Sequence, residues 1–371
     1  MAKAKLIMKT YMKILLASLI IVTYPIAVMA EDDIKDSTAD ESSSPWLATP
    51  LISSDPKLKT SIGAMLAYMH NFDDESPVSM FGLMGNYSSS DSYTAGVFGN
   101  TYFNEDQQRL MIVSVVGNIN NDYSYPIDNG QEVAVKTTDK IHMTFLRFSQ
   151  RVLGDWFIGA QIVDSNYNID GRDEISESIL DYFNLHGFNS SGIGLLANYD
   201  SRDNQQSASS GRRFMLHNFS FREAFGAIDS FDAYMLDYSE YFSHGRGHVA
   251  AVRVKGRWTV DAPSSSYSSI ELRGYIRGQY LAEHATLIEI DERYAINDTW
   301  GLTAFTGMAC LYGKDLQGNN TSCGNTDNIY PALGVGATYA IKPEEKMVVR
   351  SDLAVGKGNN YGFYLNFGQP F

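Results

Sequence analysis

The sequence predicts an all-β fold, a transmembrane antiparallel β-barrel of sixteen strands, from three observations. From about Lys57 onward, segments of roughly a dozen residues alternate apolar and polar side chains between clusters of Gly, Asn, Asp and Ser. The chain opens with an export signature. It closes on "YGFYLNFGQPF", 361 to 371, where Tyr361, Phe363, Leu365, Phe367 and Phe371 share one face of a two-residue period. A closing strand this apolar on one side is an aggregation hazard in water and comfortable against lipid.

At the start, Lys3, Lys5, Lys9 and Lys13 precede the apolar run "ILLASLIIVTYPIAVMA", which ends at Ala30 in a cleavage-type tripeptide. Residues 1 to 30 are therefore expected to be a signal peptide. A retained anchor helix is the alternative, and the shortness of the run opposes it. No later apolar stretch is long enough for a membrane helix, so a membrane protein of this sequence crosses with strands. Losing four lysines and no acid takes the formal charge from -14 to -18. That acidity argues against nucleic acid as a partner and against attraction to anionic lipid.

Residues 31 to 56 are acidic and Ser-rich with little periodicity, and read as a flexible periplasmic segment. The barrel is expected over 57 to 371. Fifteen alternating segments can be counted there, and "DEISESILDYFNLHG" alone suggests a short helix. Single-chain bacterial barrels have even strand numbers, so a sixteenth strand is expected, most readily in "GQEVAVKTTD" before Trp156.

The strand faces carry the argument further. In "HVAAVRVKGRW", Arg253, Lys255 and Arg257 oppose Val252, Val254 and Trp258. In "ATLIEIDERYAI", Glu289, Asp291 and Arg293 oppose Ile288, Ile290, Tyr294 and Ile296; in "MVVRSDLAVG", Arg350 and Asp352 oppose Val349, Leu353 and Val355. A soluble sandwich turns such charges out and a membrane barrel turns them in, and alternation alone does not say which. The export signature, the aromatic last strand, the strand number and the 23 Tyr and 19 Phe, enough for two interfacial girdles, favour the barrel.

Cys310 and Cys323 flank the turn-rich "LYGKDLQGNNTS", and in an oxidising compartment a disulfide across that loop is expected. Loop 261 to 283 is the longest insertion of the second half. Its Arg273-Gly274-Tyr275 joins a planar charged fork, a hinge and an amphipathic ring, a tip suited to folding inward and meeting a carboxylate.

With these motifs in order, the second half of the chain resembles the barrel of the BamA/TamA outer-membrane assembly superfamily, the bacterial surface antigens. "GIGLLANYDSRDNQQSASSGRRF" is similar to that family's strand, periplasmic Asp-x-Arg-Asp turn and Gly-led next strand, through Asp200, Arg202, Asp203 and Gly211. "LRGY" resembles its loop-six tip through Arg273, Gly274 and Tyr275, and "IDERY" its Glu-x-Arg strand through Asp291 and Arg293. "VVRSDLAVGKGNNYGFYLNFGQPF" is similar to its final hairpin, whose terminal Phe371 the assembly machinery reads as a targeting signal.

Two departures stand out. Where the family has Phe-x-Asp-x-Gly, this chain has "FTGMA", with Gly307 in place of the acid that pairs with the loop-six arginine. Arg273 is then expected to use Asp291 or Glu289. The segment 31 to 56 is also too short for the family's periplasmic POTRA domains, so the expectation is a POTRA-less barrel.

The resemblance implies the outer membrane of a Gram-negative bacterium, with outer-membrane lipid and the assembly machinery as partners and a separate periplasmic protein as a further one. A pore, a membrane-insertion or a translocation role follows from it. No cofactor, metal site, phosphate loop or nucleotide fingerprint is visible, so an enzyme is not expected. A phospholipase-like enzyme using His244 or His248 of "SHGRGH" with a serine is one alternative, although no nucleophile elbow accompanies them. A plain porin or adhesin barrel with loop 261 to 283 splayed outward is the other.

Overall fold

The computed structural model describes residues 44–55, 59–127, 131–183, 185–343 and 346–371. The expected signal peptide and the first part of the acidic segment lie outside them. The first strands are β1 (Trp46–Asp55), β2 (Lys59–His70), β3 (Ser79–Ser88), β4 (Tyr93–Phe103), β5 (Gln108–Ile127) and β6 (Gln131–Leu153). Next come β7 (Trp156–Gly171), β8 (Gly187–Asp200), β9 (Gly211–Phe221), β10 (Phe231–His244) and β11 (His248–Val260). The last are β12 (Leu281–Ala295), β13 (Trp300–Asp315), β14 (Ile329–Lys342), β15 (Met347–Gly356) and β16 (Tyr361–Phe367). Each pairs antiparallel with its neighbours in sequence, and β16 returns to β1, so the described strands form a closed sixteen-stranded barrel.

Closure leaves no free edge, the only way a sheet satisfies its backbone in hydrocarbon. The seam is its thinnest joint: β1 meets β16 through three residue pairs, Ile52 with Leu365, Ser53 with Tyr364 and Ser54 with Phe363. On its other side β1 meets β2 through a ten-residue register from Trp46 to Asp55.

The faces are inverted relative to a soluble protein. Leu195, Ile62 and Leu333 are 69%, 65% and 60% exposed, while Asp291, Asp352 and Arg350 are almost fully buried. Charges therefore line the lumen and aliphatic residues the outside, as a bilayer requires. Aromatic pairs rim the end that carries Pro45 and Phe371: Trp46 on Tyr68, Trp156 on Tyr199 and Trp300 on Tyr339. Tyr87, Tyr93 and Tyr361 stand exposed near the opposite end, from which the long loops leave. Two girdles at two interfaces follow.

Three expectations are corrected. The segment 31 to 56 is not flexible throughout, because Trp46–Asp55 is β1 and supplies the sixteenth strand. Leu47 and Thr49 of β1 are buried on its inner face and Trp46 is exposed on its outer one, a pattern diluted in the sequence by Pro50 and a serine pair. "GQEVAVKTTD" is no separate strand: its residues from Gln131 extend β6, which pairs with β5 over their whole common length.

Phe371, third, does not share the last strand's outer face. Tyr361, Phe363 and Leu365 do, opposite Tyr364 and Asn366, which stand across from the inward Asp352 and Arg350, whereas Phe367 at the strand's end packs against the buried Leu47, Met65 and Met347. At Gly368 (φ +79) the ladder ends, its amide bonding to the Val348 carbonyl near the start of β15. With no partner strand beyond and Pro370 lacking an amide, the chain bends inward. Phe371 then packs on Ala208, Tyr241, Val249 and Ala251 inside the barrel.

The expected helix is α1 (Glu174–Phe183), on the loop between β7 and β8. Asp173 starts it by accepting from the Ser176 amide at 2.8 Å and from its hydroxyl at 2.7 Å. Cys310 and Cys323 are joined, closing the loop between β13 and β14.

Candidate functional site

The loop between β11 and β12 leaves the far end and turns back into the barrel. Ser268 and Ser269 first pair with Ala282 and Leu281. Ile270, Leu272 and Tyr275 then join Leu287, Ala309, Leu311 and Tyr330 of the inner wall in one apolar cluster. Burying these side chains against the wall is what brings the loop inside. At the tip, Gly274 has φ +92 and lies so close to the backbone at Val355 that a Cβ would press on it. Its amide donates to the Tyr364 hydroxyl at 3.1 Å, while the Tyr275 hydroxyl donates to the Pro331 carbonyl at 2.5 Å and accepts from the Lys357 amide at 2.7 Å.

Thus held, Arg273 reaches the middle of a charged network. Its Nη1 donates to Asp352 Oδ2 at 2.7 Å, and its Nη2 to Glu289 and, at 3.1 Å, to Asp291 Oδ2. Its guanidinium lies over the Phe305 ring, 3.4 Å from the centroid. Arg350 grips Asp291 with both terminal nitrogens, at 3.0 and 2.6 Å, and Asp352 with Nε at 2.8 Å. Arg293 stands 3.4 Å from Asp291 and donates to the Ala208 carbonyl at 2.9 Å and to the main-chain oxygen of Phe371 at 2.6 Å. Three arginines meet three side-chain carboxylates, so the side-chain charges of the network balance, the condition under which such a group is tolerated.

Gly307 leaves its place without a carboxylate, and Leu272 Cδ2 would lie 3.0 Å from a Cβ there. Asp352 of β15 stands in for the missing acid beside both residues expected to receive Arg273, which bonds Glu289 and Asp291 as well. Sequence reading paired charges along single strands and did not see that the last strands supply Tyr364 and Gln369, the latter accepting from Arg350 at 2.9 Å. Tyr364 could have been found as the one polar ring on the inner face of β16.

A second network closes the end opposite the loops. Asp200 accepts from Arg109 Nη1 and Arg202 Nε, both at 2.7 Å. Asp106 receives Arg109 through two bonds and Arg151 through a third, and both guanidinium groups lie over the buried Phe157 ring. Asp203 organises turn 201–210: its carboxylate accepts from the Ser209 and Ser210 amides at 2.8 and 3.1 Å and from Lys346 Nζ at 2.8 Å. Burial alone raises the pKa of Asp203, but Lys346 and the serine donors outweigh it and hold it at about 2. Gly211 opens β9 after this turn. Arg109, Asp106 and Arg151 are members the sequence reading missed; all three sit beside turns, where isolated charges carry no distinctive signal. A cavity of about 700 Å³ opens here among Asp106, Arg109, Arg151, Asp200 and Arg202.

His244 ends β10 and His248 begins β11, paired with each other across the turn. His244 bonds Glu292 at 2.9 Å, while His248 accepts from the Ala295 amide at 3.1 Å and stacks on Tyr294. Their hydrogen bonds thus go to Glu292 and to backbone.

Fold and lumen together define a membrane-spanning β-barrel with a loop folded into its interior. Among solved structures, the chain is similar to BamA from Haemophilus ducreyi lacking POTRA domains 1-3, with a TM-score of 0.53 and 13% identity over 88% of this chain and 70% of that one. CdiB from Acinetobacter baumannii matches with a TM-score of 0.56 and 10% identity over 87% of this chain, and CdiB from Escherichia coli with 0.56 and 9% over 88%. The matches span 59% and 63% of those two CdiB chains. At these identities the likeness is one of fold. No family model matches the sequence, and no curated protein matches it.

Proposed function

We propose that this protein is an outer-membrane barrel that inserts or translocates a polypeptide, with the loop carrying Arg273 as its resident closure and the β1–β16 joint as the place where it yields. The observation that carries this reading is the lock itself: one arginine from a loop tip bonded to Glu289, Asp291 and Asp352 on two separate strands. The two-sided aromatic girdle and the export signature support an outer-membrane location. Similarity of fold to BamA and CdiB supports an insertion or translocation role.

The test is conductance of the purified barrel in planar bilayers. Wild type is expected to be mostly closed with brief openings, and Arg273→Ala or removal of 261 to 280 to open it at least several-fold more often. Equal conductance and equal open probability in all three would overturn the closure role. Addition of an unfolded outer-membrane strand peptide should alter wild-type openings, and indifference to it would leave a pore without translocation.

A further inference from the structure

The arginines of the inner wall are, with few exceptions, matched to carboxylates. Arg109 and Arg202 share Asp200, Arg151 has Asp106, Arg253 has Asp237, and Arg273, Arg293 and Arg350 share the acids of the lock. Arg147 of β6 and Arg213 of β9 are different. Among the described residues neither meets a carboxylate within ion-pair distance. Arg147 gives Nε and Nη2 to the neutral Gln161 Oε1, at 2.9 and 2.7 Å, and Nη1 to the Met215 sulfur at 3.2 Å. Arg213 gives Nε to Asn198 Oδ1 at 3.3 Å and Nη2 to the same sulfur at 3.4 Å.

Two cations therefore flank one thioether, a weak acceptor, and repel each other across it. The acids in register are already taken: Asp200, opposite Arg213, by Arg109 and Arg202, both at 2.7 Å, and Asp237, opposite Met215, by Arg253 at 3.2 Å and by Lys255 at 3.9 Å. Both side chains are only half-buried, so solvent in the lumen reaches them. Arg257 also lacks a carboxylate, but its Nη1 is occupied by Ser268 of the inward loop.

We infer that Arg147 and Arg213 form an oxyanion site on the lumenal wall, taking a phosphate group between their two guanidinium forks. The class follows from charge and geometry. Two full positive charges call for a group carrying close to two negative ones at neutral pH, and two forks call for more oxygens than one carboxylate offers. The phosphate can be free in solution or borne by a larger molecule in the lumen. Nothing in this assignment depends on the barrel opening for a polypeptide.

Binding is measured on the folded barrel in detergent, its fold checked by heat-modifiable gel migration, by titrating inorganic phosphate at ionic strength held constant with chloride. Wild type is expected to bind saturably with one site per barrel. Arg147→Gln with Arg213→Gln is expected to weaken binding at least ten-fold. Arg147→Lys with Arg213→Lys, which keeps charge and removes both forks, should weaken it several-fold and covers the case in which the first variant does not fold. A parallel titration with a hexose phosphate separates the sources: equal affinity means a phosphate on a larger carrier is accepted, and loss of binding means the site takes the free ion. Wild type indifferent to phosphate, or either folded double variant binding as tightly as wild type, overturns the site.

Discussion

Asp291 shows what one residue does in the lock. It is fully buried and touches Arg273, Arg293 and Arg350, so neutralising it leaves three guanidinium groups with two carboxylates. Stripping a partner from a buried ion group typically costs about 3–5 kcal/mol, because the charge left behind cannot be rehydrated. Asp291→Ala is expected to lose that much in denaturant unfolding from lipid, and a loss under about 1 kcal/mol would mean the lumen is wet enough to screen the network. Asp203, in the turn, answers to pH. Its carboxyl is held at about 2, below the ordinary value near 4, so its contribution is complete above about pH 4 and disappears as pH falls through 2. Proteolytic nicking of turn 201–210 should rise across that window, and Asp203→Asn should abolish the pH dependence.

At the scale of elements, strand β12 states the inversion most clearly. Glu289, Asp291 and Arg293 are buried, whereas Ile288 and Ile290, which flank Glu289, are 42% and 46% exposed. An arginine placed on the outer face costs about 2–4 kcal/mol at mid-depth and about 0–1 near an interface. Ile290→Arg is therefore expected to destabilise the folded barrel by the larger amount and Val260→Arg, at the loop end of β11, by the smaller. Equal effects at both sites would contradict the membrane placement of these strands. Strands with such periodicity were legible in the sequence; β1 was not, because its short alternation is interrupted by Pro50 and follows an acidic tract.

For the whole molecule, closure is decided at the seam, where three pairs join β1 to β16 and a ten-residue register joins β1 to β2. Facing residues in an antiparallel pair stand about 4.5–5.5 Å apart at Cα, within disulfide range. Oxidising Cys replacements of Ile52 and Leu365 should suppress the openings of the barrel. The same cross-link between Ala48 and Leu66, within the longer register, should leave them unchanged. Suppression by both, or by neither, would mean the joint is not where the barrel yields.

The order of the strands, the division of each into two faces and the charged tip of the loop were set by local pattern, since a two-residue period and a Gly-hinged Arg-Tyr tip are properties of neighbouring residues. Which arginine meets which acid was decided only in three dimensions. Arg273 and Asp352 are 79 residues apart, and Arg293 and Phe371 are 78 apart, so only barrel closure brings them together. The same closure turned Phe371 inward and left Arg147 and Arg213 facing each other across Met215, because a partner's position in the lumen depends on the register of every strand between.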